Sequence, residues 1–223
     1  MSEFWESSVL LVSEPAPGIR RIVLERPRGL EWLPGQGLAV DVGRAAKNPV
    51  YAIATTPETI DRIELMVDVN RRGRGAEFMG RLNVGDRVRF QAPVGYFALE
   101  RAPGAPVAFL ACQLGIAAIR PMVLRLLRHR LTFPVRLHHF VQTLQEQLFR
   151  DDFIKAVFQL EKFEYEVLFD IPVREYVDGR YVSGTDRRDW RFYVCGPAAQ
   201  VTEACALLQR GGYPPEAICA EPW

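Results

Sequence analysis

The first hundred residues alternate between apolar and polar positions in short runs that turn residues separate. Six runs have this period of two or are rich in β-branched residues: SSVLLVSE, IRRIVLER, GLAVDVG, VYAIATT, RIELMVDV and DRVRFQAP. One stretch, GAEFMGRL, has helical spacing instead. The pattern predicts a six-stranded antiparallel β-barrel over residues 1–100, interrupted by one short helix.

After a Pro- and Gly-rich joint at residues 101–106, the pattern changes to longer elements. Strand-like runs alternate with stretches of helical period, in the order PVAFLA, IAAIRPMVLRLLRHR, PVRLHHFV, RDDFIKAVFQ, FEYEVLF, RFYVCG and AAQVTEACALLQRGG. Strands that alternate with helices form parallel sheets covered by those helices. We therefore expect residues 107–223 to form a doubly wound α/β domain of the nucleotide-binding type.

Composition and charge exclude several classes of protein. The chain has 28 basic and 27 acidic residues, so nucleic acid is not an expected partner. No apolar run approaches the roughly 20 residues that span a bilayer, and the first residues lack the pattern of a signal peptide. We expect a cytoplasmic protein without membrane insertion.

The cysteines and histidines do not predict a metal site. The four cysteines are far apart in sequence and form no Cys-x-x-Cys pair, which argues against zinc or an iron–sulfur cluster held by this chain alone. His138 and His139 are neighbours on a predicted strand, so their side chains point to opposite faces. No metal is therefore expected.

The stretch LACQLGIAAIRPM, residues 110–122, passes from a strand through a tight turn into a helix. Many nucleotide-binding proteins place a phosphate against such a helix start. Only Gly115 stands in the turn, whereas close approach of a backbone to a pyrophosphate usually needs several glycines. Three interpretations stay open: a cofactor site, a site altered for another use, or a plain strand-to-helix turn.

A series of motifs along the chain supports a family. They are PGQ at 34–36, VYAIATTP at 50–57, NVGDRVRFQAPVGYFAL at 83–99, LGIAAIRPM at 114–122, LFRDDF at 148–153, YVCGP at 193–197 and the closing AEPW. In their order and spacing the chain resembles the ferredoxin-NADP reductase superfamily over nearly its whole length. The resemblance implies FAD on the barrel, NAD(P)H on the α/β domain and a protein that exchanges electrons with the chain.

The run VYAIATT, with Pro49 before it, carries the flavin motif of that family, Arg-x-Tyr-Ser/Thr, in altered form. Tyr51 is kept and is expected to lie against the flavin, Pro49 replaces the arginine that holds the diphosphate, and Ala52 replaces the hydroxyl residue. Thr55 is a candidate for a hydroxyl near the flavin, or serves only its own strand.

The stretch NRRGRGAEF follows at the place of the family's Gly-x-x-Ser turn, whose amides contact the diphosphate. The resemblance implies that Arg72, Gly73, Arg74, Gly75 and Ala76 bind the diphosphate of FAD, with the arginines taking the role that Pro49 cannot perform. The alternative is an arginine hairpin exposed to solvent.

The end of the chain carries the residues that the family places around the nicotinamide. Cys195 is implied as the catalytic thiol beside the nicotinamide ring, and Gly196 and Pro197 follow it in the same motif. Trp223 corresponds to the aromatic residue that covers the flavin ring. A buried thiol at a strand-to-helix turn and an apolar tail are the alternative readings.

The family's Gly-Gly-Thr-Gly-Ile-x-Pro turn aligns with the opening helix of the second domain. Gln113, Gly115 and Ile116 are the implied nucleotide-binding residues, although a side chain at Gln113 fills space that the pyrophosphate needs. Gln142 stands where the family has an arginine that meets the nucleotide's phosphate or ribose, so NADPH loses its usual basic contact.

Three functions follow, of which the first is favoured. It is an FAD-dependent oxidoreductase of the NAD(P)H-dependent flavin reductase type, which passes electrons from a reduced pyridine nucleotide to a partner acceptor. The second is a flavin-containing electron-transfer subunit in a larger redox complex, without NAD(P) binding. The third is a cofactor-free structural or regulatory subunit that kept the fold.

Overall fold

The computed structural model describes residues 3–43, 47–100, 104–128, 132–184 and 189–223. The chain divides into two compact units. The first comprises the described residues of Met1–Glu100 together with Arg120–Leu124, and the second those of Arg101–Ile119 and Arg125–Trp223. Residues 101–103 of the predicted joint lie outside the described residues.

The first unit is a six-stranded antiparallel sheet in the order β4-β3-β6-β1-β2-β5, with one helix. Its elements are β1 Glu3–Ala16, β2 Ile19–Glu25, β3 Gly37–Val40, β4 Val50–Ala52, β5 Arg62–Asp68, α1 Arg74–Arg81 and β6 Arg87–Val94. The Ala54 amide donates to the Glu64 carbonyl over 2.8 Å, which joins the chain after β4 to the edge strand β5. The predicted six antiparallel strands and the short helix are confirmed.

Alternation along the strands builds the core of this unit. In β6, Val88, Phe90 and Ala92 are buried, while Arg87 and Arg89 are exposed. Ile22 and Leu24 of β2 join the same apolar cluster. Burial of one face of each strand is the main source of stability for such a sheet.

The second unit is a five-stranded parallel sheet in the order β11-β10-β7-β8-β9. Its elements are β7 Val107–Cys112, α2 Ile116–Leu126, β8 Val135–Val141, α3 Arg150–Gln159, β9 Phe163–Phe169, α4 Val173–Val177, β10 Arg191–Gly196, α5 Ala198–Arg210 and β11 Ile218–Pro222. Residues 120–124 of α2 group with the first unit. Every residue of the central strand β7 is buried, as expected for a parallel sheet covered on both faces. The predicted doubly wound sheet is confirmed.

Three short elements were not expected from the pattern. They are β11, helix α4 and the π-helical turn Asp178–Val182 that follows it. Each has only five residues, which is too short for a period of 2 or 3.6 to stand out. The second helix ends at Leu126, and residues 129 and 130 of the predicted helix lie outside the described residues.

A polar cluster around the buried His138 attaches this short helical segment to the sheet. The His138 ring on β8 lies 2.9 Å from a Glu166 carboxylate oxygen and 2.7 Å from the Tyr181 hydroxyl. Tyr176 of α4 donates to the same Glu166 carboxylate. Because each polar group has a partner, the cluster fixes α4 against β8 and β9.

Candidate functional site

In the first unit, β4 and the start of α1 lie side by side. A Cβ atom placed on Gly75 would be 2.7 Å from the Tyr51 hydroxyl and 2.9 Å from the Pro49 Cβ. Only glycine fits this contact without displacing a neighbour. The structure therefore brings together two predicted groups of residues, those of the β4 motif and those of the NRRGRGAEF turn.

The turn before α1 presents backbone amides and positive charge. Gly73 has a φ of 128°, a conformation that favours glycine, and it precedes the first helical residue. The amides at the start of a helix have no partner within the helix, and they attract anions. Arg72 and Arg74 are exposed here, and Ala76 is half-buried in the first turn. These residues fit a diphosphate.

The other end of α1 is held by Arg20, a residue that sequence reasoning missed. Its guanidinium group on β2 donates to the carbonyl oxygens of Met79 at 3.0 Å, Gly80, and Leu82 at 2.9 Å. A cation at the last carbonyls of a helix satisfies them and opposes the negative end of the helix dipole. Arg20 thus fixes the helix from the end opposite to Gly73.

The chain after β4 carries a buried hydroxyl group without a partner. The Thr55 Oγ1 atom is buried and has no hydrogen-bond partner among the described residues. Ala52 and Tyr51 are half-buried, and burial raises the pKa of Tyr51 to about 12, with the Arg71 charge opposing. An unpaired buried hydroxyl costs stability unless a ligand or a water molecule pairs with it.

In the second unit, the ends of β7 and β10 meet at the point where the strand order reverses. A Cβ on Gly115 would be 2.0 Å from the Cys195 carbonyl oxygen, and one on Gly196 would be 2.5 Å from the Cys112 Cβ. Open α/β sheets bind their ligands at this place, outside the carboxyl ends of the strands. Both glycines are needed for the two turns to pack.

The turn after β7 differs from an open phosphate-binding loop. Gln113 has a φ of 53°, which few residues other than glycine adopt. Ile116 is fully buried, and its amide hydrogen-bonds to the carbonyls of Gln113 and Leu114. This amide is already paired inside the turn. The turn therefore has fewer free amides to donate to a phosphate than the family pattern has.

Cys195 and Trp223 lie together at the end of β10. The Trp223 side chain hydrogen-bonds to the Cys195 thiol, and the Trp223 amide donates to the Gly196 carbonyl over 3.1 Å. The Ala198 amide, just after Pro197, donates to the Trp223 carbonyl. Burial, and then the nearby Glu221, raise the pKa of Cys195 far above its ordinary value, so the thiol stays protonated.

Glu221 is a second residue that sequence reasoning missed. It pairs with Cys195 across β10 and β11, and burial raises the pKa of its carboxyl group. The closing AEPW motif contained this residue, but only the strand register shows that its backbone lies beside Cys195. A carboxyl group at this position is a candidate contact for a polar substrate.

A polar cavity of about 120 Å³ lies over the carboxyl ends of the strands. Its lining includes Gln113 after β7, Gln142 after β8, Asp170 after β9 and Gln200 in the first turn of α5. Gln142 was predicted to replace a family arginine, and the structure places it in the same cavity as Gln113. Asp170 and Gln200 were not predicted.

His139 contacts Gln113, one of the residues that line this cavity, and its titration makes the stability of the fold depend on pH. Its Nε2 atom lies 3.2 Å from the Gln113 carbonyl, its Nδ1 atom has no partner among the described residues, and burial lowers its pKa from 6.5 to about 4. Between these two pH values the unfolded chain binds a proton that the folded chain excludes. The contribution of neutral His139 to the free energy of unfolding is therefore fully present above pH 6.5, and it is lost as the pH decreases toward 4.

We expect the free energy of unfolding to decrease by up to about 3 kcal/mol over this interval because of His139. Urea unfolding at pH 7 and pH 4.5 measures the change. His139→Gln should flatten the decrease, leaving the part that buried His138 contributes in the same direction. Equal decreases in both proteins would contradict the assignment.

Two kinds of feature are absent from the described ranges. No group of three or more His, Cys, Asp or Glu side chains there is arranged to hold a metal ion. No helix in the same part of the chain has the length and apolar character needed to cross a membrane.

A six-stranded antiparallel unit followed by a doubly wound parallel unit matches the two-domain fold class of ferredoxin-NADP reductases. Comparison with known proteins agrees with this class. Residues 18–99 match the model of the oxidoreductase FAD-binding domain.

Curated relatives match most of the chain at low identity. The reductase component of propane 2-monooxygenase from Rhodococcus jostii is 26% identical, over 89% of this chain and 57% of that protein. The phenol hydroxylase P5 protein of Acinetobacter pittii is 22% identical, over 92% of this chain and 62% of that protein. The chain thus spans less than two thirds of the length of these two relatives.

Solved structures share the fold over the whole chain. The Amycolatopsis cytochrome P450 reductase GcoB superposes with a TM-score of 0.84 at 23% identity, covering 100% of this chain and 71% of that one. A ferredoxin NADP+ reductase from Neisseria gonorrhoeae, with bound FAD and NADP, gives 0.85 at 18% identity and covers 100% and 99%. The comparisons therefore show a match to the oxidoreductase FAD-binding domain over residues 18–99 and, over the whole chain, the two-domain fold of ferredoxin-NADP reductases.

Proposed function

We propose that this chain is an FAD-dependent reductase that accepts electrons from a reduced pyridine nucleotide and passes them to a protein partner. The contact of Gly75 with Tyr51 and Pro49 carries the proposal, because it joins the flavin strand and the phosphate-binding turn into one cradle. The match over residues 18–99 supports FAD as the ligand. When bound, FAD accepts a hydride and releases electrons singly.

Different residues of the first unit bind the ring and the diphosphate of FAD. Tyr51 and the unpaired Thr55 hydroxyl contact the ring, and the turn at Gly73 with Arg72 and Arg74 holds the diphosphate. Pro49 replaces the family's arginine and packs beside Gly75 instead. The positive charge that the diphosphate needs is therefore supplied from the turn and not from β4.

The residues of the second unit orient the nicotinamide. Cys195 stays a neutral thiol, so it acts by contact and not as a nucleophile or base. Trp223 and Glu221 lie beside it and provide an aromatic surface and a carboxyl group. Hydride transfer depends on such orientation, because the cofactors supply the chemistry.

Names of relatives indicate the kind of partner. The two curated relatives are a reductase component of propane 2-monooxygenase and a phenol hydroxylase P5 protein, and one structural neighbour is a cytochrome P450 reductase. We assign this chain a redox partner of the oxygenase class. A cytoplasmic location remains part of the proposal.

A second candidate is an electron-transfer subunit that holds flavin but receives electrons from a protein. The strained backbone of Gln113 and the internally paired Ile116 amide favour it, because they narrow the dinucleotide turn. This candidate differs from the first only in the source of electrons.

One absorption experiment separates these candidates. The purified protein, reconstituted with FAD, should show absorption bands at roughly 375 and 450 nm. These bands should bleach on anaerobic addition of NADH or NADPH. Bands that persist with both nucleotides would favour the second candidate. A protein that retains no flavin after reconstitution would contradict both and leave a subunit that kept only the fold.

A further inference from the structure

The cavity over the carboxyl ends of β7, β8 and β9 lacks the positive charge that is usual in a phosphate-binding site. Three of its lining side chains are neutral amides, those of Gln113, Gln142 and Gln200, and one is the carboxylate of Asp170. No arginine or lysine is among the described residues that line it. An anionic group would find no cation here.

A second carboxylate adds to the negative charge beside Gln142. A Glu146 carboxylate oxygen accepts the Gln142 amide over 2.9 Å, and the other accepts the Thr143 hydroxyl. The first arginine after Asp170 in the sequence, Arg174, lines a different cavity. A phosphate monoester carries a charge of about −1.5 to −2 at neutral pH, so these two carboxylates repel it.

Gln200, one of the residues that line this cavity, carries an acceptor that requires a donor. The Gln200 Oε1 atom is buried and has no hydrogen-bond partner among the described residues. A buried acceptor without a partner costs about 1–3 kcal/mol, and a hydroxyl group can pair with it. Sugar hydroxyls donate hydrogen bonds to amide and carboxylate oxygens alike, whereas an ionised phosphate has no proton to donate.

We propose that this cavity binds the ribose of an adenosine nucleotide through free hydroxyl groups, and that it selects NADH against NADPH. Asp170 and Gln200 accept from the 2′- and 3′-hydroxyls, and Gln142 leaves the 2′ position without the cation that a 2′-phosphate needs. The inference rests on the proposed function, since it names the dinucleotide that the reductase uses.

Direct binding of nucleotide fragments tests this inference without the flavin. Calorimetric titration of the purified protein with 5′-AMP and with adenosine 2′,5′-bisphosphate compares ligands that differ only in the 2′-phosphate. We expect 5′-AMP to bind roughly tenfold more tightly or better. Equal affinity, tighter binding of the bisphosphate, or no binding of either fragment would overturn the inference.

Charge reversal in the cavity provides the second measurement. The double variant Gln142→Arg with Asp170→Asn should reverse the preference toward the bisphosphate, and asparagine tolerates the φ of 50° at position 170. Gln159→Arg, at an exposed position at the end of α3, adds the same charge elsewhere and should leave the preference unchanged. An unchanged preference in the double variant would contradict the role of these residues.

The outcomes separate this inference from the proposed function. Flavin that is reduced equally fast by NADH and by NADPH would overturn the selectivity and leave the reductase in place. A protein that prefers 5′-AMP but binds no flavin would keep the ribose site and remove the reductase.

Discussion

Replacing Gly75 with valine is expected to lower the affinity for FAD about 100-fold, or about 2.8 kcal/mol. A Cβ at this position would be 2.7 Å from the Tyr51 hydroxyl and 2.9 Å from the Pro49 Cβ. Either Tyr51 must leave its place on β4 or the start of α1 must move away from it. In both cases the cradle for the flavin ring and the diphosphate is separated into two parts.

The matched control is Gly80→Val in the same helix. A Cβ on Gly80 would be 3.7 Å from the nearest atom, a Val69 methyl group, which is an ordinary van der Waals contact. The two variants are compared by FAD content after purification and by titration of the apoprotein with FAD, with circular dichroism as a check of folding. FAD affinities that are equal in the two variants would show that this cradle does not hold the flavin.

The order of strands and helices could be predicted because the periodicity of the chain is strong. The predicted helix over residues 150–159 and the predicted strands over 163–169 and 191–196 begin and end at the observed residues. Each of these runs has a clear period and is bounded by a change of composition. The five-residue elements α4 and β11 have no such signal, and tertiary packing decides them.

Residues of the candidate site could be predicted where their sequence neighbours alone indicate their role. Glycines beside a helix start and a cysteine at a strand end can be interpreted from the sequence together with a family pattern. The contacts of Arg20 with the end of α1 could not, because 59 or more residues separate the partners in sequence. Gln200 and Asp170 were missed for the same reason, since they meet Gln142 only after the parallel sheet has formed.

Gln113 shows what a single sequence can and cannot indicate. Its side chain predicted a narrowed turn, and the structure adds that its backbone has the positive φ of a glycine position. Left-handed backbone costs about 1–2 kcal/mol for a residue with a Cβ. The turn therefore has the backbone conformation of a glycine position although a glutamine occupies it.

Replacing Gly115 with alanine is expected to destabilise the second unit by about 3 kcal/mol, at the upper end of the usual cost of overpacking. The added Cβ would be 2.0 Å from the Cys195 carbonyl oxygen and 2.5 Å from its carbon. Both are backbone atoms of a buried parallel strand, so they cannot rotate away as a side chain can. The turn after β7 must separate from the end of β10, which also disturbs Cys195.

Denaturant unfolding followed by circular dichroism measures this cost against Gly179→Ala. A Cβ on Gly179 has no atom within 4 Å, so that variant should unfold at nearly the wild-type denaturant concentration. Both variants are studied as apoprotein, so that binding of nucleotide or flavin does not change their stability. If Gly115→Ala were as stable as the control, the close packing of β7 and β10 would not be what requires glycine at this turn, and a bound dinucleotide would be the better explanation for it.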